Sequence, residues 1–165
     1  MTKEYTCCFT GPRSKNLPLG GDESTEEIAE LKEKLYSAIE DAYAEGYRSF
    51  MSGMAEGFDI FAAEAVLRLK ETRPDVSLVC VFPCPASRDC RNLRSKERLE
   101  RIVSRASLII YVENSYVTGC EHLRNIYMAD NSCRIIGWYN GLSGGTAHCW
   151  NYALSAGLEM INLFE

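Results

Sequence analysis

The chain has 165 residues, 46% of them apolar, enough to bury one sizeable core but too few for two ordinary domains, so a single domain over residues 1–165 is expected. Its 18 basic and 23 acidic residues leave a net charge of −5, which argues against a general affinity for DNA or RNA, whose non-specific binding rests on Lys and Arg neutralising phosphates. No apolar run approaches the roughly 20 residues of a membrane-spanning helix, and the N-terminus lacks a basic segment followed by an apolar core, so a cytoplasmic protein with no membrane partner is expected.

Residues 5–10 read as a first strand, followed by a loop over 11–22 with two prolines and three glycines. Ser24 with Glu27 has the spacing of a capping box. Ile28, Leu31, Leu35, Ile39 and Ala42 then recur at helical spacing, and Gly46 stops the helix. Residues 48–52 form a second strand, and the helix after it shows Phe61, Ala62, Ala65, Val66 and Leu69 on one side until Pro74 ends it. Residues 77–82 form a third strand, closed by Pro83 and Pro85. A polar stretch over 87–98, with five Arg or Lys among its 12 residues, leads into a helix near 96–105. Residues 108–112 are a fourth strand, and Leu123, Ile126 and Tyr127 mark a helix before a fifth strand at 134–138. A last helix over 146–156 precedes a short sixth strand at 160–163.

Strands alternating with helices build an α/β fold: a Rossmann-like, doubly wound, mostly parallel sheet of about six strands with helices on both faces. Neither repeats nor low-complexity segments interrupt it. In this architecture ligands bind beyond the carboxyl ends of the strands, where the strand order reverses. The loops to watch are therefore 11–13, 53–59, 83–91, 113–119 and 141–146.

Two of these loops are Gly-rich turns between an apolar run and a helix: Ser52-Gly53-Met54-Ala55-Glu56-Gly57-Phe58-Asp59 and Gly141-Leu142-Ser143-Gly144-Gly145-Thr146. Glycine lets the backbone approach a phosphate closely, and N–H groups at a helix start favour negative charge. Gly11, Gly53, Met54 and Gly57, with Gly144, Gly145 and Thr146, are thus candidate backbone contacts to an anionic ligand. Ser52 belongs to the first motif. Arg13 adds a guanidinium suited to phosphate or carboxylate, Asp59 or Glu113 would meet a ribose hydroxyl, and Glu56 and Glu64 are the acids near the first turn able to act as a general base. Each has a plainer role: tight turns for the glycines, helix caps for Asp59 and Thr146, surface pairing for Arg13. Arg124 and Asn125 lie on a helix that reaches the same crevice.

The eight cysteines do not read as a disulfide framework. Cys7, Cys8 and Cys80 sit in apolar strands, where a thiol acts as a small hydrophobe, and a chain of this size has no need of such staples. Cys120 with His122 and His148 with Cys149 lack a second pair at zinc-site spacing, so no metal is expected. Cys84 would be reactive if Arg88 or Arg91 lowered its pKa. His148 titrates near neutral pH or fills an ordinary half-buried place. Trp138, Tyr139 and Trp150 either stack on a base or complete the core.

The first Gly-rich turn resembles the S-G-x-A-x-G-[IF]-D motif of the SLOG superfamily, which unites Smf/DNA-processing proteins with LOG phosphoribohydrolases. Thr10-Gly11-Pro12-Arg13 is similar to the opening T-G-x-R of its YpsA-like branch, and Gly57-Phe58-Asp59 followed by Ala62-Ala63-Glu64 to that branch's G-F-D-x-x-A-A-E. Pro83-Cys84, Arg124-Asn125-x-Tyr127-Met128-x-Asp130 and Gly144-Gly145-Thr146 follow in the same order. The resemblance implies a Rossmann-like fold that binds or senses a nucleotide or nucleotide-derived ligand of the ADP-ribose or NAD type. It also implies self-association into a homo-oligomer, for which exposed aromatics such as Tyr116 offer a surface. LOG enzymes carry P-G-G-x-G-T-x-x-E with a catalytic Glu; here Cys149 stands at that place. A nucleotide N-glycosidic (phosphoribo)hydrolase would need Glu56 or Glu64 instead. The Smf analogy implies single-strand nucleic-acid or protein binding, which the acidic balance disfavours for nucleic acid.

Overall fold

The computed structural model describes residues 1–89 and 92–164. Among them six strands form one sheet: Thr6–Thr10 (β1), Ser49–Ser52 (β2), Ser77–Phe82 (β3), Leu108–Tyr111 (β4), Arg134–Gly137 (β5) and Glu159–Asn162 (β6). Every pairing is parallel, in the order β4-β3-β2-β1-β5-β6. The helices are Glu26–Ala44 (α1), Phe58–Thr72 (α2), Ala86–Asp89 (α3), Leu93–Val103 (α4), Cys120–Asp130 (α5) and Gly145–Ser155 (α6). The fold is the Rossmann-like α/β sheet expected from the sequence.

Successive side chains of a strand point to opposite faces, and both faces are used. Cys7, Phe9, Phe50, Leu78, Cys80 and Phe82 pack with the apolar sides of α1, α2 and α4. Cys8, Met51, Val79, Val81 and Ile135 pack with Met128 and Ala129 of α5 and Cys149 and Ala153 of α6. Burial on both sides explains why these strands read as unbroken apolar runs. It also explains the cysteines: Cys7, Cys8, Cys80 and Cys149 are fully buried free thiols, and burial pushes the Cys80 thiol up to about 12 and that of Cys149 to about 11.

Three local expectations change. Ser24 does not form a capping box: α1 begins at Glu26 behind Thr25 with no side-chain cap. Asp22 captures the serine instead, its Oδ1 accepting from the Ser24 N–H at 2.9 Å and from the Ser24 hydroxyl at 2.7 Å, a turn that competes with capping. The loop after β1 holds a 3-10 turn at Ser14–Asn16 and, over Pro18–Gly21, a second short turn with left-handed backbone at Leu19 and Gly20. Within the polar stretch after β3 the helix α4 already begins at Leu93, where Asn92 caps it by accepting from the Ser95 N–H at 2.9 Å, earlier than its apolar residues alone suggest.

From β1 the chain builds outward through β2, β3 and β4, then returns to add β5 and β6 on the other side. The switch point lies between β1 and β5, where Thr10 and Gly137 are paired. Among the described residues no helix is long and apolar enough to cross a membrane.

Candidate functional site

Above the carboxyl ends of the strands a crevice divides into two lobes that share Arg13, Ala55, Glu121 and Arg124. The first, about 490 Å³, lies beyond β2 and β3 and is bounded by Gly53, Glu56, Phe82, Pro83, Ser87 and Tyr116. The second, about 430 Å³, lies at the switch point between Thr10, Gly11, Asp59, Trp138 and the turn carrying Gly144, Gly145 and Thr146. Both are of the size that small-ligand pockets take.

The two Gly-rich turns differ in what their backbone is free to do. In the first, the Ser52 hydroxyl accepts from the Met54 N–H at 3.2 Å and donates to the Asp59 carbonyl at 2.8 Å. Asp59 Oδ2 accepts from the Ala55 N–H at 3.3 Å, and the Phe58 N–H donates to Pro12 at 3.2 Å. Three N–H groups of this turn are thus engaged within the fold. Met54 has a left-handed φ of 59° and a buried side chain. Gly57, at φ 97°, is pressed on the loop after β1, where an added Cβ would lie 2.6 Å from the Ser14 nitrogen and 2.8 Å from the Pro12 oxygen. The second turn stands open: nothing lies within 4 Å of a Cβ added at Gly144 or Gly145, and the first-turn N–H groups of α6 have no acceptor within their own helix.

Of the sequence candidates, Gly11, Arg13, Gly53, Glu56, Asp59, Gly144, Gly145 and Thr146 therefore meet at the crevice. Ser52, Met54, Gly57 and Glu113 do not line it: the first three build the turn beneath, and Glu113 donates its N–H to Pro83 at 2.9 Å beside β4. Glu64 is drawn away into an ion pair with Arg98 at 2.5 Å, leaving Glu56 as the crevice member of that pair.

Arg124 is the crevice's buried cation. It donates to the Gly53 carbonyl at 2.5 Å and to Asn125 Oδ1 at 2.8 Å, which places its guanidinium plane under the first turn. Burial pushes its pKa down and the Asp59 carboxylate opposes that; an arginine stays charged under such a shift. Glu121, one helical turn before Arg124, lines both lobes, and residue-by-residue reading of the sequence passed over it. Its signal was there, since Glu121, Arg124 and Asn125 stand at i, i+3 and i+4 of one helix face. On the same wall the His122 and His148 rings lie against each other, tilted by 53°, with centroids 3.9 Å apart. Burial, then the neighbouring His122, hold the His148 pKa below its ordinary 6.5.

Arg88 does not activate Cys84. It is held by Glu100 at 2.8 Å and by the Tyr111 hydroxyl at 2.6 Å, and Arg91 lies outside the described residues. Trp138 lines the second lobe with its ring edge-on to Phe164 at 5.0 Å, while Tyr139 and Trp150 pack on each other at 5.9 Å. Among the described residues no group of three His, Cys, Asp or Glu is placed to hold a metal ion.

The sequence model of the YspA SLOG family matches residues 7–155. Over 139 residues, 76% of this chain and 81% of the relative, the sequence is 31% identical to the uncharacterized SPbeta prophage-derived protein YoqJ of Bacillus subtilis strain 168. In structure the chain is similar to DNA processing protein A of Streptococcus pneumoniae, with TM-score 0.61 and 16% identity over 96% of this chain and 50% of that one. It is likewise similar to the DNA processing protein A of Helicobacter pylori, whose structure describes a single-stranded DNA binding mode, with TM-score 0.65 and 17% identity over 96% of this chain and 64% of that one. The chain thus spans less than two thirds of either solved chain.

Proposed function

Since the protein belongs to the YspA SLOG family, we propose that it acts as a cytoplasmic single-domain binder or sensor of a nucleotide-derived ligand of the ADP-ribose or NAD class, held across both lobes. The observation that carries this reading is the shared wall: Arg13 and Arg124 stand where the lobes meet, the place a diphosphate linking two bulky groups would occupy. Guanidinium groups suit such a linker because their fork of donors matches phosphate oxygens. The open turn at Gly144, Gly145 and Thr146 adds first-turn N–H groups on the second-lobe side.

Binding is favoured over hydrolysis because Cys149 stands in place of the LOG carboxylate and its thiol is buried, held protonated at neutral pH by a pKa of about 11. Calorimetric titration with ADP-ribose, NAD and AMP tests the reading. Binding of a two-ended ligand that Arg13→Ala weakens supports it; no binding of any of the three in a folded protein overturns it.

A second reading is single-strand nucleic acid, as in the Helicobacter relative. Arg94, Arg98 and Arg101 of α4 border a depression that shares Ser95 with the first lobe, although Arg98 is already paired with Glu23 and Glu64. Oligonucleotide binding that falls steeply with salt would favour it.

A further inference from the structure

The chain has two histidines, and the fold brings them together. His122 stands near the start of α5 and His148 near the start of α6, two helices that pack on each other. Their ring centroids lie 3.9 Å apart at a tilt of 53°. His122 lines the second lobe beside Arg13, Arg124 and the Gly144 turn, with His148 against its ring. Among the described residues no hydrogen-bond partner reaches the buried Nδ1 of His148. Buried polar atoms are nearly always bonded, so packing alone does not account for the pair.

The second lobe has no net charge to offer an anion. Among the described residues its charged side chains are Arg13 from the loop after β1, Asp59 at the start of α2, and Glu121 and Arg124 of α5, two of each sign. Helix α6 has no charged side chain. Its other titratable groups are Cys149, buried and held protonated, and Tyr152, whose hydroxyl donates to Asp130 of α5 at 2.7 Å. At the start of α5, burial holds the Cys120 thiol above its usual value. The two imidazoles are therefore the groups here able to gain positive charge near neutral pH.

We propose that His122 and His148 act as one proton-accepting unit that couples diphosphate binding in the crevice to the uptake of about one proton. The inference rests on the reading of the Arg13 and Arg124 wall as a diphosphate site. A diphosphate diester there brings two negative charges to a lobe whose own charges cancel, and a nearby opposite charge favours the charged form of an imidazole. The proton comes from solvent to a ring nitrogen, and no covalent bond of the ligand changes. Like charges on rings this close oppose a second proton. Before the ligand arrives, burial and then His122 hold the His148 pKa below its ordinary 6.5, so that ring is neutral at pH 7 and able to accept. Since the liganded state holds more protons, affinity falls as pH rises between the free and the liganded pKa of the pair, by up to about tenfold per pH unit for one proton.

The test titrates the full chain calorimetrically with ADP-ribose and with NAD, whose diphosphates keep their charge across the neutral range, in two buffers of different ionisation enthalpy, so that the difference in heat counts protons. The expected result is uptake approaching one proton near pH 7, weaker binding at higher pH, and imidazole C2–H resonances of the two histidines that titrate at higher pH in the saturated protein than in the free one. The double variant His122→Gln, His148→Gln should bind without proton uptake and with an affinity that no longer follows pH. Binding by the unaltered chain without proton uptake overturns the coupling and leaves the diphosphate reading standing, whereas binding of neither ligand overturns both. Uptake that survives in the double variant assigns the proton to another group and overturns the role of the pair. The resonances of the unaltered chain decide even if the double variant fails to fold.

Discussion

Two glycines that look alike in the sequence have opposite duties. Gly57 holds a left-handed φ of 97° with the backbone of the loop after β1 against it, so Gly57→Ala combines backbone strain with overpacking and should lower stability by about 2 kcal/mol or more, read from the urea midpoint. Gly145 faces open space, so Gly145→Val should leave that midpoint unchanged while weakening ligand titration; equal loss of stability in both variants would refute the distinction. The motif made both visible as glycines beside a helix start, but what tells them apart is the chain packed across from Gly57, which has no local trace. Arg124 was legible in the same limited way: the motif and its helix placed it near the crevice, not under the turn. Its removal strands the Gly53 carbonyl and takes a buried positive charge away from beside Asp59, so Arg124→Ala should cost about 3 kcal/mol by the same assay, and a loss under 1 kcal/mol would show that water replaces it readily.

At the scale of elements, apolar periodicity located all six strands and the long helices because burial on both faces of the sheet forces that pattern. It failed where side chains rather than burial set a boundary, as at Asp22 and Asn92. Two contacts between elements give separate pH responses. His148 of α6, its ring against that of His122 of α5, has its pKa held below 6.5 by burial and then by that neighbour. The unfolded chain therefore takes up the proton first, and stability should fall as pH drops below about 6.5; His148→Gln should flatten that part of a Tm-against-pH curve. Glu23 behaves oppositely in origin: the hydrogen bond from Arg98 holds its carboxyl down to about 2, so its contribution is present above the ordinary 4.5 and is lost as pH falls from there toward 2. Arg98 joins Glu23 ahead of α1, Glu64 in α2 and its own α4, yet these carboxylates are more than a third exposed and solvent screens the pair. Arg98→Ala should accordingly remove a modest acid sensitivity below pH 4.5 and leave the response near 6.5 intact.

On the scale of the molecule, the alternation of strands and helices located the crevice at a switch point before any side chain was placed, since parallel strands with right-handed crossovers leave few strand orders. That the crevice has two lobes was not legible, because it depends on α5 carrying Glu121 and Arg124 over from one side of the sheet to meet Arg13 from the other. The division gives a sharp expectation. Tyr116 is 63% exposed and lines the first lobe, remote from the Gly144 turn that bounds the second, so truncating it should not alter folding. If a base stacks there, Tyr116→Ala should weaken a two-ended ligand such as ADP-ribose by about tenfold, within the 1–3 kcal/mol that an aromatic contributes per stacked base, while Gly145→Val weakens it from the other end. Because the two changes act on separate lobes with no shared contact, their effects on binding free energy should add. A full effect of one variant and none of the other in calorimetric titrations would mean that the ligand occupies a single lobe, and marked non-additivity would mean that the two lobes are coupled.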